Sequence, residues 1–261
     1  MCALTRRPHM KPNPTSRSRV LLNNANESYY VPDLSRDYHS EYGFIKADVL
    51  QNAPDGARVK TSKEKEFTIF DATSYDRYRR LKRVAAIILP KEAGAILANT
   101  MIDSESVCVD AGGGSGALTC FLAQFAKKVY CYDIRQDHLD VVKKNVESLG
   151  LSNVDCALGD VYESIPVADA DLITLDVPEP HRALDNVAKS LRAGRFLVCY
   201  LPNANQVQTL ANAILTRPNA DFVVTKTIEI IEREWEVDAR KNRPANTGLM
   251  HTAFLTFIRK I

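Results

Sequence analysis

The strongest constraint on the fold is an alternation of short hydrophobic runs and helical segments that begins near residue 105. The runs are SVCVDAG, KVYCYDI, VDCALGD, DLITLD and RFLVCYLP, and the helical segments are ALTCFLAQFA, HLDVVKKNVESLG, ALDNVAKSL and NQVQTLANAIL. Strand, helix and strand in repetition predict a mostly parallel sheet with helices on both faces. The later segments DFVVTKTIEIIEREWEV and HTAFLTFIRK complete seven strands as a hairpin at one sheet edge, with RKNRPANTG as its loop.

The chain before this α/β region has a different character. Residues 1–26 are rich in Pro, Ser and Arg and predict a flexible basic tail. Residues 27–72 hold short β segments separated by turns such as APDGAR, which indicates a small N-terminal β domain. The main domain is then 73–261. It opens with two helical segments, SYDRYRRLKRVAAIIL and EAGAILANTM, which Pro90 separates.

Composition excludes several classes of protein. No apolar run approaches the roughly 18–20 residues of a membrane span, and the start lacks a secretory signal, which favours the cytosol. No CxxC pair occurs among the six cysteines, so neither a zinc site nor a thioredoxin-type motif is indicated. The net charge is only +2, but DRYRRLKR (76–83) concentrates five cations. Such a cluster either binds phosphates or forms a solvated helix face.

Acidic residues stand at the ends of four successive predicted strands. They are Asp110, Asp133, Asp160 and Asp176. In an open α/β sheet, ligands bind beyond the carboxyl ends of the strands. Four carboxylates in this position therefore predict a ligand site rather than incidental acids.

A glycine-rich turn, DAGGGSG (110–116), joins the first of these strands to its helix. Such a turn fits either the dinucleotide pattern G-x-G-x-x-A or the G-x-G-x-G turn of S-adenosylmethionine-dependent methyltransferases. Asp133 could hold ribose hydroxyls in both. Asp110 would repel a pyrophosphate and suits the cationic methionine end of S-adenosylmethionine, while Asp160 could accept from the adenine amino group. The acids therefore favour S-adenosylmethionine.

The stretch TLDVPEPH (174–181) places Asp176 at a strand end followed by two prolines. Pro178 and Pro180 cannot continue a strand ladder and restrict their neighbours, so they would hold the acid in a fixed loop beside the cofactor. In amino-directed DNA methyltransferases the equivalent loop reads D-P-P-Y, and its acid accepts from the base amino group. DVPEP resembles that loop in position and not in letters.

From about Tyr42 to Arg259 the chain resembles the tRNA (adenine-N1)-methyltransferases of bacteria and archaea, which are related to the catalytic subunit of the eukaryotic enzyme. The segments that carry the resemblance are YGFIKADVL, DRYRRLKRVAAIILPKEAGAIL, VDAGGGSGALT, YDIRQDH, LDVPEPHRAL, LVCYLPNANQV and RPANTGLMHTAFLTF. PKEAG, LD-x-PEP and HTAFLTF are more specific than the glycine loop. Gly113 and His181 depart from the usual family letters but leave the cofactor acids intact, which favours an active catalyst.

The resemblance implies a Rossmann-like class I methyltransferase fold, S-adenosylmethionine as cofactor, no metal, and tRNA as partner. It implies methylation of N1 of an adenine in the T-loop at tRNA position 58, with position 57 as well in some archaea, by a cytoplasmic homotetramer. The cofactor residues that it implies are Asp110, Gly112, Gly114, Ser115, Gly116, Ala117, Leu118, Asp133, His138, Asp160 and Asp176. The catalytic residues are Asp176, Tyr78 and Tyr200, and the RNA contacts are Arg77, Arg79, Arg80, Arg83, Arg240, Lys241 and Arg243.

Two other functions stay open on the sequence alone. The same fold could methylate a protein carboxyl group or a small molecule, because a fold does not fix its substrate. The chain could also be a tRNA-binding subunit without turnover. Methylation of a protein carboxyl group or a small molecule would leave the cations of residues 77–83 without a role, whereas a tRNA-binding subunit would not.

Overall fold

The computed structural model of the chain describes residues 17–24, 27–238, 240–246, 248 and 250–261. These residues form two compact units. The first comprises the described residues up to Arg80 together with Ser148–Gly150. The second comprises Leu81–Glu147 and Leu151–Ile261.

The first unit is built around a four-stranded antiparallel sheet with the strand order β2-β1-β6-β5. Its strands are β1 (Arg19–Leu22), β2 (Ser28–Val31), β5 (Ala57–Lys60) and β6 (Glu66–Asp71). A separate hairpin consists of β3 (Tyr38–Ser40) and β4 (Gly43–Ile45), and the helices are α1 (Ala47–Asn52) and α2 (Ser74–Tyr78). Leu21, Leu50 and Ile69 are fully buried in its core. The small antiparallel β region predicted before the α/β domain is therefore present.

The prediction of a flexible tail that reaches residue 26 is wrong for residues 19–22. These form strand β1, which pairs with β2 on one side and with β6 on the other. The strand is held in place because Leu21 is buried in the core and the Arg19 side chain is buried among acceptors. The remainder of the predicted tail, 1–16 with 25 and 26, lies outside the described residues.

The predicted helix SYDRYRRLKRVAAIIL is also wrong beyond its first turn. Helix α2 begins after a capping box between Thr73 and Asp76 and ends at Tyr78, and residues 79–89 are not helical. Like charges three and four residues apart disfavour a helix over this segment. The side chain of Asn145 also bonds the amide and the carbonyl of Lys82, which removes both groups from any helical ladder.

The second unit is a seven-stranded sheet with the order β12-β15-β11-β10-β7-β8-β9, which confirms the predicted fold class. The strands of its parallel part are β7 (Val107–Ala111), β8 (Lys128–Asp133), β9 (Val154–Leu158), β10 (Ala170–Leu175) and β11 (Leu191–Leu201). The helices are α3 (Pro90–Thr100), α4 (Ala117–Leu122), α5 (Gln136–Ser148), α6 (Leu184–Ser190) and α7 (Ala204–Leu215), with a 3₁₀ helix at Pro180–Ala183. All six residues of β10 are buried, as expected for a central parallel strand covered on both faces. Among the described helices, none combines the length and the apolar character needed to span a membrane.

The predicted edge hairpin is present but shorter than expected. Strands β12 (Phe222–Glu229) and β15 (Phe254–Lys260) pair antiparallel, and β15 also pairs antiparallel with β11. The segment EREWEV does not extend β12. Instead β13 (Trp235–Val237) pairs with β14 (Asn242–Pro244), so part of the predicted loop forms a small hairpin of its own.

The buried guanidinium of Arg19 generates a stability prediction for the first unit. Its Nη1 lies 2.8 Å from Asp55 Oδ1 and 2.5 Å from Asp71 Oδ1, and its Nη2 donates to the carbonyl of Ala53. Since these are charge-assisted bonds, Arg19→Ala should cost on the order of 2–3 kcal/mol. Hydrogen exchange of the β1 and β6 amides measures the loss. The control is Arg58→Ala. Arg58 is exposed and pairs with Glu66, so its replacement should cost under about 1 kcal/mol of stability. Equal exchange in both variants contradicts the prediction.

Candidate active site

A cavity lies at the carboxyl ends of the neighbouring strands β10, β7, β8 and β9. The parallel register brings these ends to one edge of the sheet, as the sequence predicted. Ten of the predicted cofactor residues line the cavity, and they are Asp110, Gly112, Gly114, Ser115, Ala117, Leu118, Asp133, His138, Asp160 and Asp176. Gly116, the eleventh, is not part of the lining.

Asp110 is a buried charge at the base of this cavity. It is 2% exposed, and both carboxylate oxygens accept hydrogen bonds from threonine hydroxyls. Thr119 donates to Oδ2 at 2.5 Å and Thr174 donates to Oδ1 at 2.8 Å. Burial raises the pKa of Asp110, and the two threonine bonds oppose that rise. The two threonine hydroxyls thus hold the Asp110 carboxyl group in a fixed position, where it can act as an acceptor for a ligand.

Asp133 is the last residue of strand β8, and its carboxylate is held by backbone amides and an imidazole. Gly114 N donates to Oδ2 at 2.8 Å, Arg135 N donates to Oδ1 at 2.9 Å, and His138 Nδ1 lies 3.2 Å from Oδ2. A carboxylate has about two acceptor positions on each oxygen, so Oδ2 is fully used and Oδ1 can accept a further bond from a ligand. His138 Nε2 is buried and has no hydrogen-bond partner among the described residues. Because Nδ1 donates to Asp133, a neutral His138 ring offers Nε2 as a second acceptor.

Asp176 follows strand β10 and faces the same cavity. Burial, together with the charges of Asp110 and Asp133, raises the pKa of Asp176 to about 7. Its backbone amide donates to the carbonyl of Ala111 at 2.9 Å, which fixes its position against strand β7. Asp176 therefore exchanges its proton near neutral pH. Its ionisation depends on what binds next to it.

Two glycines of the turn are required by their surroundings. Gly112 has a φ of +83°, and a Cβ there would lie 2.1 Å from the carbonyl oxygen of Asp176. Gly116 has a φ of +74°, and a Cβ there would lie 2.8 Å from a methyl of Val142. Gly112 thus allows the turn to approach the loop of Asp176, while Gly116 lets the turn pack on helix α5.

The loop DVPEP (176–180) is held by hydrogen bonds from two further elements. Gln206 Nε2, in helix α7, donates to the carbonyl of Pro178 at 3.0 Å, and the amide of Glu179 donates to the hydroxyl of Tyr162 at 3.0 Å. Pro180 then begins the 3₁₀ helix. The abrupt end of strand β10 therefore produces a fixed loop, as the prolines predicted.

The other predicted residues lie apart from the cavity lining or in the first unit. Tyr200 is half-buried near the end of β11, and Tyr78 is the last residue of α2. Arg79 and Arg80 are exposed, with guanidinium carbons 5.8 Å from the ring centroids of Tyr75 and Tyr30 respectively. Arg77 donates to the carbonyl of Ala72, Arg83 and Arg240 are exposed, and Arg243 and Lys241 pair with Glu236.

The predicted site residues did not include several residues of the cavity lining. They are Ala85–Ile88, Gly113, Tyr132, Ile134, Gly159, Val161, Tyr162, Val177 and Pro178. Ile134 had a recognisable signal in the sequence, because a large hydrophobe directly after a ribose-type acid suits contact with a planar ring. In the structure it is 68% exposed. The segment Ala85–Ile88 had none, since its predicted helix does not form. It reaches the cavity because the amides of Val84 and Ala85 donate to Ser115 Oγ at 2.9 and 3.3 Å.

Comparison with known proteins shows relatives over most of the chain. It is 33% identical over 228 residues to the tRNA (adenine(58)-N(1))-methyltransferase TrmI of Thermus thermophilus, covering 85% of this chain and 88% of the relative. It is 29% identical over 271 residues to the tRNA (adenine(57)-N(1)/adenine(58)-N(1))-methyltransferase TrmI of Methanocaldococcus jannaschii, covering 92% and 94%.

Solved structures share the fold over most of the chain. A SAM-dependent O-methyltransferase from Thermotoga maritima superposes with a TM-score of 0.84 at 25% identity, covering 95% of this chain and 94% of that one. The tRNA (m1A58) methyltransferase TrmI from Aquifex aeolicus gives a TM-score of 0.78 at 24% identity, covering 95% and 97%. These likenesses support the class I methyltransferase fold.

S-adenosylmethionine is the cofactor that this fold implies, and the cavity fits it. Four carboxylates line this one space, and their negative charge suits a sulfonium and an ammonium group and would repel the pyrophosphate of a dinucleotide. Asp133 and the orphaned Nε2 of His138 offer the acceptors that ribose hydroxyls need. The open space at Gly114, where the nearest atom to an added Cβ is 3.8 Å away, leaves the backbone accessible to the ligand.

The raised pKa of Asp176 generates a pH prediction. A cation binds the ionised carboxylate, so affinity for S-adenosylmethionine should rise with pH, by up to about tenfold per unit below 7, and level off above it. Binding at pH 6.5 should release a proton, which calorimetry in buffers of different ionisation enthalpy measures. S-adenosylhomocysteine, which lacks the sulfonium charge, and Asp176→Asn are the controls, and both should weaken the pH dependence. Affinity that is constant from pH 6 to 8 contradicts the prediction.

A family assignment follows from sequence, fold and site together. The sequence model of the family described as "tRNA methyltransferase complex GCD14 subunit" matches residues 79–253, which is more than half of the chain. That range contains the glycine turn, the four strand-end acids and the DVPEP loop. The chain belongs to this tRNA methyltransferase family.

Proposed function

We propose that this protein transfers the methyl group of S-adenosylmethionine to N1 of an adenine in the T-loop of tRNA, at position 58. The observation that carries the proposal is Asp176, a largely buried acid on a fixed loop at the edge of the cofactor cavity. The relatives named above as adenine-N1 methyltransferases support the same acceptor. One of those two relatives is named for positions 57 and 58, and the other for position 58 alone. Mapping the modified bases in the tRNA product tests whether this protein also methylates position 57.

The chemistry asks for orientation more than for proton transfer. When bound, S-adenosylmethionine supplies an electrophilic methyl group on a sulfonium. N1 of adenine already carries an in-plane lone pair, so no strong base is required. Asp176 accepts a hydrogen bond from the N6 amino group, orients the ring, and stabilises the positive charge that methylation creates on the base.

The target adenine must also leave its base stack in the tRNA before it can enter the site. Extruding a nucleotide costs a few kcal/mol, which contacts to the phosphate backbone offset. Arg79 and Arg80 suit this role because both are exposed and neither lies in a helix. Stacking on Tyr75 and Tyr30 restricts the two guanidinium groups while their N–H donors stay available. Contact of Arg77, Arg83, Arg240, Lys241 and Arg243 with RNA, and of Tyr78 with the base, stays a prediction.

A homotetramer in the cytoplasm is part of the same proposal. Segment 231–250 of the second unit exposes large apolar side chains on and around its small hairpin, and they are Ile231, Trp235, Val237 and Met250. An exposed group of this kind is typical of a surface that another subunit covers. It supports assembly of several copies without fixing their number.

A second candidate is transfer to an oxygen acceptor, because one neighbour of the same fold is described as an O-methyltransferase. The two functions differ in the acceptor. Incubation of the protein with labelled S-adenosylmethionine and either bulk tRNA or carboxyl-bearing protein separates them. Label in tRNA with 1-methyladenosine at position 58 supports the proposal.

Replacement of Asp176 tests the mechanism. Asp176→Ala should lower turnover on tRNA by roughly 10²-fold or more, the range for loss of a preorganised electrostatic partner. Turnover is measured at saturating S-adenosylmethionine, so that weaker cofactor binding does not count. The matched control is Glu163→Ala, an exposed acid, which should retain wild-type turnover. Near-normal turnover of Asp176→Ala at saturation would sink the mechanism.

Replacement of Arg79 and Arg80 tests the RNA contact. Removing both with Ala should weaken tRNA binding and flatten its salt dependence, by up to about 0.9 in the slope of log K against log salt for each phosphate that is no longer neutralised. S-adenosylmethionine binding should not change. The matched control removes two other arginines of the first unit, Arg36 and Arg58, which already pair with Asp33 and Glu66. Equal slopes for wild type and both double variants mean that RNA is held elsewhere.

A further inference from the structure

His251, three residues before strand β15, bridges two parts of the second unit and has no part in the mechanism described so far. Its Nδ1 lies 2.5 Å from Oε1 of Glu229, the last residue of strand β12. Its Nε2 lies 2.9 Å from the carbonyl oxygen of Pro202, which directly follows strand β11. The ring also packs near Phe254, with 5.1 Å between the two ring centroids. The imidazole therefore connects the edge hairpin to the segment that leaves β11.

Both partners of the imidazole are acceptors, so its charge state decides whether the bridge is complete. A neutral imidazole has a single N–H, and only the imidazolium donates to a carboxylate and a carbonyl at once. The carbonyl of Pro202 and the carboxylate of Glu229 raise the pKa of His251, and the charge of Lys91 opposes that rise. Lys91 is itself paired with Glu92, at 3.0 Å. Above its raised pKa, His251 loses one of the two bonds.

Pro202 adjoins the start of helix α7, because the next residue, Asn203, is the N-cap of that helix. Gln206 Oε1 accepts from the backbone amide of Asn203 at 3.1 Å and from its side-chain amide at 3.3 Å. The other end of the same amide group, Gln206 Nε2, donates to the carbonyl of Pro178 at 3.0 Å. One side chain thus joins the start of helix α7 to the DVPEP loop, and a shift of the helix start moves the donor to that loop.

The carbonyl of Pro178 is close to the proposed catalytic acid. Pro178 lies two residues beyond Asp176, and both residues line the cavity. The backbone between them has little freedom, because Pro178 fixes its own φ and restricts that of Val177. Displacement of the loop at Pro178 therefore reaches Asp176. A misplacement of about 1 Å at a reacting centre can cost on the order of 10²-fold in rate.

We propose that His251, as an imidazolium, is a positioning residue that fixes the start of helix α7 and, through Gln206, the loop that carries Asp176. The inference rests on the proposed function, because the loop must hold Asp176 where the adenine amino group can bond it. The two groups need opposite protonation states, since Asp176 accepts as a carboxylate and His251 donates as a cation. Methyl transfer is then fastest in the pH range where both conditions hold.

The pH dependence of methyl transfer tests the role of the imidazolium. Single-turnover rates with labelled S-adenosylmethionine and saturating tRNA are measured from about pH 6 to about pH 9. The wild-type rate should fall at the alkaline end, as His251 loses its proton. His251→Gln does not titrate, so it should be about fivefold slower at neutral pH and lack this decline. His251→Arg stays charged and can donate to both acceptors, so it should keep its neutral-pH rate throughout.

The matched control for loss of an imidazole is His39→Gln, at an exposed histidine of the first unit. This variant should keep the wild-type pH profile. If His251→Gln does not fold, His251→Arg still tests the proposal, because its rate should not decline at alkaline pH. An alkaline decline in His251→Arg as large as that of the wild type overturns the inference.

Gln206→Glu tests the link to the loop. Its carboxylate can still accept from Asn203, so the capping box is kept, but it cannot donate to the carbonyl of Pro178. We expect this variant to be about fivefold slower than the wild type, and His251→Gln to change its rate less than about twofold further. Gln208→Glu, the same charge change at an exposed residue of helix α7, is the matched control and should keep the wild-type rate.

Two outcomes overturn the inference alone. They are an equal alkaline decline in wild type and His251→Gln, and an equal loss from His251→Gln in the wild-type and Gln206→Glu backgrounds. Absence of methyl transfer to tRNA by the wild type overturns the proposed function and the role of His251 in transfer. Thermal unfolding tests the bridge independently of tRNA. Because folding raises the pKa of His251, the stability it adds over His251→Gln should shrink as pH rises, and a constant difference means that no imidazolium bridge forms.

Discussion

Three of the four carboxylates that line the cavity, Asp110, Asp133 and Asp176, repel one another, and this repulsion sets the conditions for the structure around them. Asp110 is stabilised by two threonine hydroxyls, and Asp133 by two amides and an imidazole. Asp176 receives no side-chain hydrogen bond from the described residues that offsets its burial, and its pKa rises to about 7. A cationic ligand relieves the repulsion that all three share. The cavity is thereby matched to a sulfonium, and the charge on Asp176, the acid proposed to bind the acceptor base, depends on the cofactor.

Close approach of two strand ends makes this arrangement possible. Gly112 passes so near the carbonyl of Asp176 that no side chain could stand there. The amide of Asp176 in turn bonds Ala111, so the glycine turn and the DVPEP loop are fixed to each other. Gln206 holds the far side of the loop. Cofactor contacts and the proposed catalytic acid therefore belong to one rigid edge of the sheet, which suits a transfer between two aligned atoms.

An acidic cavity attracts the cofactor but repels an RNA backbone, so the two ligands need different surfaces. With a net charge of +2, the chain cannot hold a polyanion through its overall field. Under the proposed function local cations hold the RNA, and Arg79 and Arg80 are proposed for this role because they stand exposed on a segment that is not helical. The absence of a helix matters here, because a helix would turn successive side chains to different faces. An irregular segment is free of that periodicity.

Much of the fold and of the candidate site could be predicted from the sequence alone. The alternation of hydrophobic runs with helical segments predicts the parallel sheet, and parallel strands place their carboxyl ends together, so the acids at 110, 133, 160 and 176 could be assigned to one site. Predictions from local sequence patterns were wrong where groups distant in sequence form hydrogen bonds with the backbone or with a side chain. Asn145 takes the backbone bonds of Lys82 and prevents the predicted helix, and acceptors at Ala53, Asp55 and Asp71 hold the buried Arg19 side chain in a strand that composition assigned to a tail. The raised pKa of Asp176 also depends on residues far apart in sequence, because burial and charge are properties of the assembled structure.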